Sequence, residues 1–208
     1  MVLTFEVGEM IPENAHFYID EKTLHGFLID PGDNADFLLK VIAEKNFVIE
    51  KILLTHGHFD HIGAVNEIQD ALKIPVFMHE GGKDYVFNPT KNLSRFTIEQ
   101  ELKLGEVNFL PEGSFIASEK NPDFKVELIH TPGHTTDGAI FYSAKDHLAF
   151  VGDTIFQGSF GRTDFPGGNL KTLMQSIKTK ILTLPDETIL YTGHGSPTTV
   201  AAEKKFFE

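Results

Sequence analysis

The run Thr55-His56-Gly57-His58-Phe59-Asp60-His61 sets three imidazoles and one carboxylate within six positions, directly after the apolar stretch Lys51-Ile52-Leu53-Leu54. With ten histidines in 208 residues, an H-x-H-x-D-H pattern arises by chance on the order of 10⁻³ times in such a chain. His56 and His58, two apart in extended chain, project to the same side and can pinch one ion. Asp60 and His61 fall where the chain turns into a helix predicted over residues 62–72, so they point elsewhere and could hold a second ion. The absence of cysteine excludes disulfides, a thiolate nucleophile and Cys-based zinc or iron–sulfur sites. Any metal must be held by His, Asp or Glu, a donor set that suits Zn²⁺, Fe²⁺ or Mn²⁺.

Three later segments repeat the pattern of a ligand type just past an apolar run and beside glycine, where loops converge and backbone folds tightly. They are His130-Thr131-Pro132-Gly133-His134, Gly152-Asp153-Thr154 and Gly193-His194-Gly195. His16, His25, His79 and His147 read as structural residues, and His130 as a packed strand end or a hydrogen-bond partner of a ligand. The Gly-rich stretch 157–168 has two readings. It is either a turn-rich connector or a substrate loop in which Arg162 clamps a carboxylate bidentately. The nineteen phenylalanines read as core.

Strands are expected over 3–7, 15–20, 26–29, 48–54, 75–78, 115–117, 124–129, 138–142, 148–151 and 188–191, each bounded by turn formers. Helices are expected over 35–45, with an N-cap from the Pro31-Gly32-Asp33-Asn34 turn, and over 62–72, 170–182 and 199–207. A long surface loop is expected around 88–94. Strands cluster and then alternate with helices in each half, which indicates two packed sheets with helices outside in one α/β domain spanning 1–208. The net charge of −12 repels phosphate backbones, against nucleic-acid binding. The longest strictly apolar runs are four residues, against roughly 20 for a membrane span. No basic n-region opens the chain, so cytoplasmic residence is the expectation.

With these motifs in order, the chain resembles the metallo-β-lactamase fold superfamily and, within it, the glyoxalase II-like hydrolases. The resemblance runs from His56 to His194 and implies a four-layer αββα sandwich. It implies that His56, His58 and His134 hold one metal, that Asp60, His61 and His194 hold the other, and that Asp153 bridges them. Asp60 and Asp153 would be the catalytic carboxylates. Two divalent ions are implied, zinc first, with iron or manganese as alternatives. A bridging hydroxide would attack a small-molecule thioester such as S-lactoylglutathione, and the metals would stabilise the oxyanion. In the longer glyoxalase II enzymes a helical domain helps bind glutathione, whereas here 14 residues follow His194. The alternatives are a persulfide dioxygenase with a single iron and a non-catalytic metal-binding protein of the same fold. An Arg-Thr-Asp-Phe element such as 162–165 occurs in both the short glyoxalase II-like proteins and the dioxygenases.

Overall fold

The computed structural model describes residues 1–99 and 101–207. Its first sheet is built from β1 (Val2–Val7), β2 (Glu13–Ile19), β3 (His25–Ile29), β4 (Val48–Leu54), β5 (Val76–His79) and β6 (Asn108–Leu110), hydrogen-bonded in that order. The first three form an antiparallel meander and the rest pair in parallel. Parallel pairing needs a crossover. Helix α1 (Ala35–Lys45) supplies it between β3 and β4, and α2 (Phe59–Ile62) with α3 (Val65–Leu72) between β4 and β5. Two short helices, α4 (Lys83–Val86) and α5 (Ser94–Thr97), lie before β6.

The second sheet holds β7 (Phe115–Ala117), β8 (Lys125–His130), β9 (Ala139–Ser143) and β10 (Leu148–Gly152), and a two-stranded hairpin of β11 (Ile155–Phe156) and β12 (Ser159–Phe160) follows. After α6 (Leu170–Ser176) come β13 (Ile189–Thr192), β14 (Thr198–Thr199) and α7 (Val200–Phe207). The order in the sheet is β14-β13-β10-β9-β8-β7.

Three apolar clusters define four layers. Leu38, Val41 and Ile42 of α1 and Val65 and Ile68 of α3 pack on Phe17, Leu28 and Ile52 of the first sheet. Tyr18, Phe27 and Leu53 meet Leu128, Phe141 and Phe150 between the sheets. Leu173 of α6 and Val200 of α7 cover Ile140, Val151 and Leu190 on the far face. This is the αββα sandwich, and it explains why β4 and β10 read as nearly unbroken apolar runs: both of their faces are covered.

Several local expectations change. The helix expected over 62–72 begins earlier and is broken, because the Ala64 amide donates to Pro31 O at 3.0 Å instead of extending the helical ladder. Asp60 and His61 therefore sit inside the first helical turn rather than ahead of it. Asn34 occupies the N-cap position of α1 in the left-handed region, φ 55°, without a side-chain cap bond. The 170–182 helix ends in a π turn at Ile177–Ile181. The short β6, β11, β12 and β14 were not expected at all. No helix among the described residues is long and apolar enough to cross a membrane.

Candidate metal centre

Because β9 is antiparallel to both β8 and β10, and β13 is parallel to β10, strands β8, β10 and β13 all run the same way. Their C-terminal ends share one edge, where β4 of the other sheet also ends. His134, Asp153, His194 and the His56–His61 cluster follow these four ends, so residues 138 positions apart meet.

His56, His58 and His134 form one group. His58 Nδ1 lies 3.2 Å from His56 Nε2 and 3.0 Å from His134 Nε2. Asp60, His61 and His194 form the second, with His194 Nε2 3.5 Å and His61 Nε2 4.0 Å from Asp60 Oδ2. Asp153 lies between them. One oxygen is 3.4 Å from His61 Nε2, and the other is 3.5 Å from His134 Nε2 and 3.4 Å from His194 Nε2. The structure thus brings together all seven ligands expected from the sequence.

The donor set fits a pair of cations. His134 Nδ1 donates to Arg162 O at 2.7 Å, and His56 Nδ1 lies 3.2 Å from Thr55 Oγ1, so both rings turn acceptor nitrogens toward a single His58 Nδ1 that can satisfy only one. His61 Nε2 and Asp153 Oδ1 are buried without a hydrogen-bond partner. Buried polar atoms left in this way are costly unless an ion completes them.

The opposite nitrogens of the rings are held. His61 Nδ1 donates to Asp30 Oδ2 at 3.0 Å and His194 Nδ1 to Pro12 O at 2.6 Å. Asp30 also accepts the Thr55 amide at 2.8 Å and the Thr55 hydroxyl at 2.5 Å, so one buried carboxylate braces both groups. Such bonds fix the tautomer and the ring orientation of a ligand. Sequence reasoning missed Asp30, although it too stands past a strand beside Pro31-Gly32, the signal used for the other ligands. Glu13 was missed as well; it is fully buried 3.6 Å from His61 Nδ1, and burial pushes its carboxyl well above the usual range. Gly193 makes room for the second group, since a Cβ there would meet Asp153 Oδ1 at 2.4 Å and His61 Cε1 at 2.6 Å.

Burial, with neighbouring imidazoles, drops His56 well below the usual histidine range and His58 to about 3. Burial also pulls His61 and His194 down, but the carboxylates around them win: Asp153 and Asp30 hold His61 well above its usual value, and Asp153 and Asp60 hold His194 up at about 10. Despite burial, the same contacts keep Asp60 and Asp153 ionised.

The other histidines are structural, as expected. His16 bonds Thr4 and Thr192 O, His25 pairs with Glu50, and His147 pairs with Glu187. His79 stacks on His130 with centroids 3.8 Å apart, and His130 Nε2 donates to Thr136 O at 2.9 Å rather than to a ligand. A cavity of about 470 Å³ opens over both metal groups. Arg162 lies on its wall, but the guanidinium bonds both oxygens of Asp164 at 2.7 and 2.6 Å and stacks 3.9 Å from the Phe165 ring.

A four-layer sandwich with neighbouring groups of imidazoles and carboxylates at its strand ends defines the class of fold. Residues 12–194 match the family model of the metallo-beta-lactamase superfamily, and the chain belongs to that superfamily. It is 38% identical over 196 residues to a probable metallo-hydrolase, YqgX, of Bacillus subtilis, covering 93% of this chain and 90% of the relative. It is 37% identical to the hydroxyacylglutathione hydrolase GloC of Haemophilus influenzae, covering 89% and 86%. Among solved structures, the BLEG-1 B3 metallo-beta-lactamase superposes with a TM-score of 0.91 at 32% identity, covering 99% of this chain and 97% of that one. TTHA1623 in a di-iron-bound form superposes at 0.85 with 33% identity, covering 98% of each.

Proposed function

We propose that the protein is a metal-dependent hydrolase acting on small acyl thioesters in the cytoplasm, with hydroxyacylglutathione as the reference substrate. The observation that carries this reading is the convergence of two complete ligand groups on Asp153 beneath one cavity. His56, His58 and His134 would hold one ion, Asp60, His61 and His194 the other, with Asp153 shared. Bound divalent ions supply Lewis acidity and a water whose pKa falls to about 7.

The chain's own residues do the positioning. Asp153 sets the separation of the two groups through contacts of 3.4–3.5 Å to three imidazoles. Asp60, ionised and on the cavity wall, accepts a hydrogen bond from the attacking water and orients it. Phe59, Phe156 and Phe165 on the wall limit bulk water at the reacting carbonyl. The relative named hydroxyacylglutathione hydrolase supports the thioester, and the di-iron neighbour supports two ions without deciding between zinc and iron.

The test combines elemental analysis with two assays. About two ions per chain and S-lactoylglutathione hydrolysis are expected. One equivalent of iron together with glutathione-persulfide-dependent oxygen uptake would establish the dioxygenase instead. Metal binding with neither activity would establish a non-catalytic protein.

A further inference from the structure

Beyond the ligands, and apart from Thr97, Ser159 and Arg162, the walls of the cavity are apolar. Ile11, Phe59, Leu93, Phe156 and Phe165 line it. The Phe165 ring lies 6.1 Å from His58 of the first group, and the Phe156 ring lies 6.0 Å from His194 of the second. An aromatic wall thus stands beside each metal group. A second cavity of about 280 Å³ shares Ile11, Phe59 and Asp60 with the first and continues to Met10, Ile98 and Leu102. Together they form an apolar trough that leads away from the metals.

Charge on these walls is scarce. Apart from the histidines, the charged side chains lining the two cavities among the described residues are Asp33, Asp60, Asp153 and Arg162. Asp60 and Asp153 are metal ligands, and Asp33 is acidic. Arg162 is already neutralised, both of its forked nitrogens being bound to Asp164. Glutathione carries two carboxylates. In this trough they would find no free cation, and a buried carboxylate without a partner is costly. An aliphatic chain loses nothing there and gains by leaving water.

We propose that the preferred substrate is a neutral thioester whose acyl group is an aliphatic chain lying in the trough past Ile11 and Phe59, a refinement that rests on the thioesterase reading above. Each methylene seated there raises kcat/KM roughly fourfold, the equivalent of about 0.8 kcal/mol.

The metal-loaded full chain is assayed on N-acetylcysteamine thioesters from acetyl to hexanoyl and on S-lactoylglutathione. The expected result is a rise in kcat/KM of at least about 30-fold along the series, with hexanoyl above S-lactoylglutathione. Ile11→Asp flattens the rise. In parallel, calorimetry measures binding of the non-hydrolysable S-hexyl and S-methyl thioethers of N-acetylcysteamine, with S-hexyl binding at least about 30-fold tighter. Thioester turnover without chain-length dependence, or with S-lactoylglutathione ahead of hexanoyl, overturns the inference and leaves the thioesterase reading standing. Tight S-hexyl binding with no thioester turned over sustains the apolar trough and overturns the thioesterase reading. Equal binding of the two thioethers overturns the inference whatever the turnover.

Discussion

The two metal groups lie side by side yet are prepared in opposite ways. His56, His58 and His134 form an all-imidazole trio in which burial favours the neutral rings of His56 and His58, with His58 at about 3. Neutral imidazole is the form that ligates, so these two rings are ready for an ion at any ordinary pH. In the second group, Asp60 and Asp153 hold protons on their histidines, with His194 at about 10. An ion entering there must displace a proton, and proton release is the usual accompaniment of metal binding. Burial prepares one group and electrostatic pairing prepares the other. Asp153 and Asp30 tie them together.

Asp153→Ala breaks the comparison most severely, because its carboxylate touches both groups. Hydrolysis should fall by on the order of 10²–10³, more than metal content falls, whereas His58→Ala should lower both together. Steady-state kinetics with elemental analysis of each variant check this, and a fully active Asp153→Ala would refute the shared carboxylate. Asp30→Asn should weaken metal binding by about 10–100-fold. The loss should be larger at the second group, where Asp30 bonds the ligand ring itself, than at the first, which it reaches through Thr55. Chelator competition resolves the two affinities, and equal losses would show that Asp30 braces both alike.

The pH dependence sharpens the contrast further. The protons on His61 and His194 must leave before their Nε2 atoms can ligate, so affinity at the second group should rise with pH by about tenfold per unit for each proton displaced. Protonation of His58, by contrast, imposes no slope on the first group above about pH 4. Metal titrations at pH 6, 7 and 8 measure both slopes, and parallel slopes would contradict the difference in preparation. Arg162→Ala should have the smallest effect. Its guanidinium is bound to Asp164, so KM should move less than about threefold, against the 10- to 150-fold expected from loss of a charge-assisted clamp. A shift in the larger range would restore the clamp.

The seven candidate ligands that converge were legible because each belongs to a short motif at a strand end, where residue type and a neighbouring glycine carry the information locally. The layers were legible because β10 and the second half of β4, Ile52-Leu53-Leu54, read as apolar runs and α1 as a periodic helix. What escaped depends on partners distant in the chain. Pro12 and Arg162 support His194 and His134 through backbone carbonyls, which are identical in every residue and leave no trace in composition. Asp30 acts 31 positions away from His61. The break before α3 falls at Gly63-Ala64, where the Ala64 amide turns to Pro31 O, a partner 33 positions back that no local pattern shows.

The sequence by itself determined that the chain could bind metal through imidazole and carboxylate, which residues are candidate ligands, and which strands precede them, since residue chemistry and hydrophobic period are local properties. Tertiary structure decided how close these side chains come to one another, through the common direction of β8, β10 and β13. It also decided which imidazoles are neutral and which protonated, because a pKa is set by burial and by charges within a few ångströms. It paired Arg162 with Asp164 and gathered scattered phenylalanines into the wall of a cavity, because only the folded chain sets the distances between them.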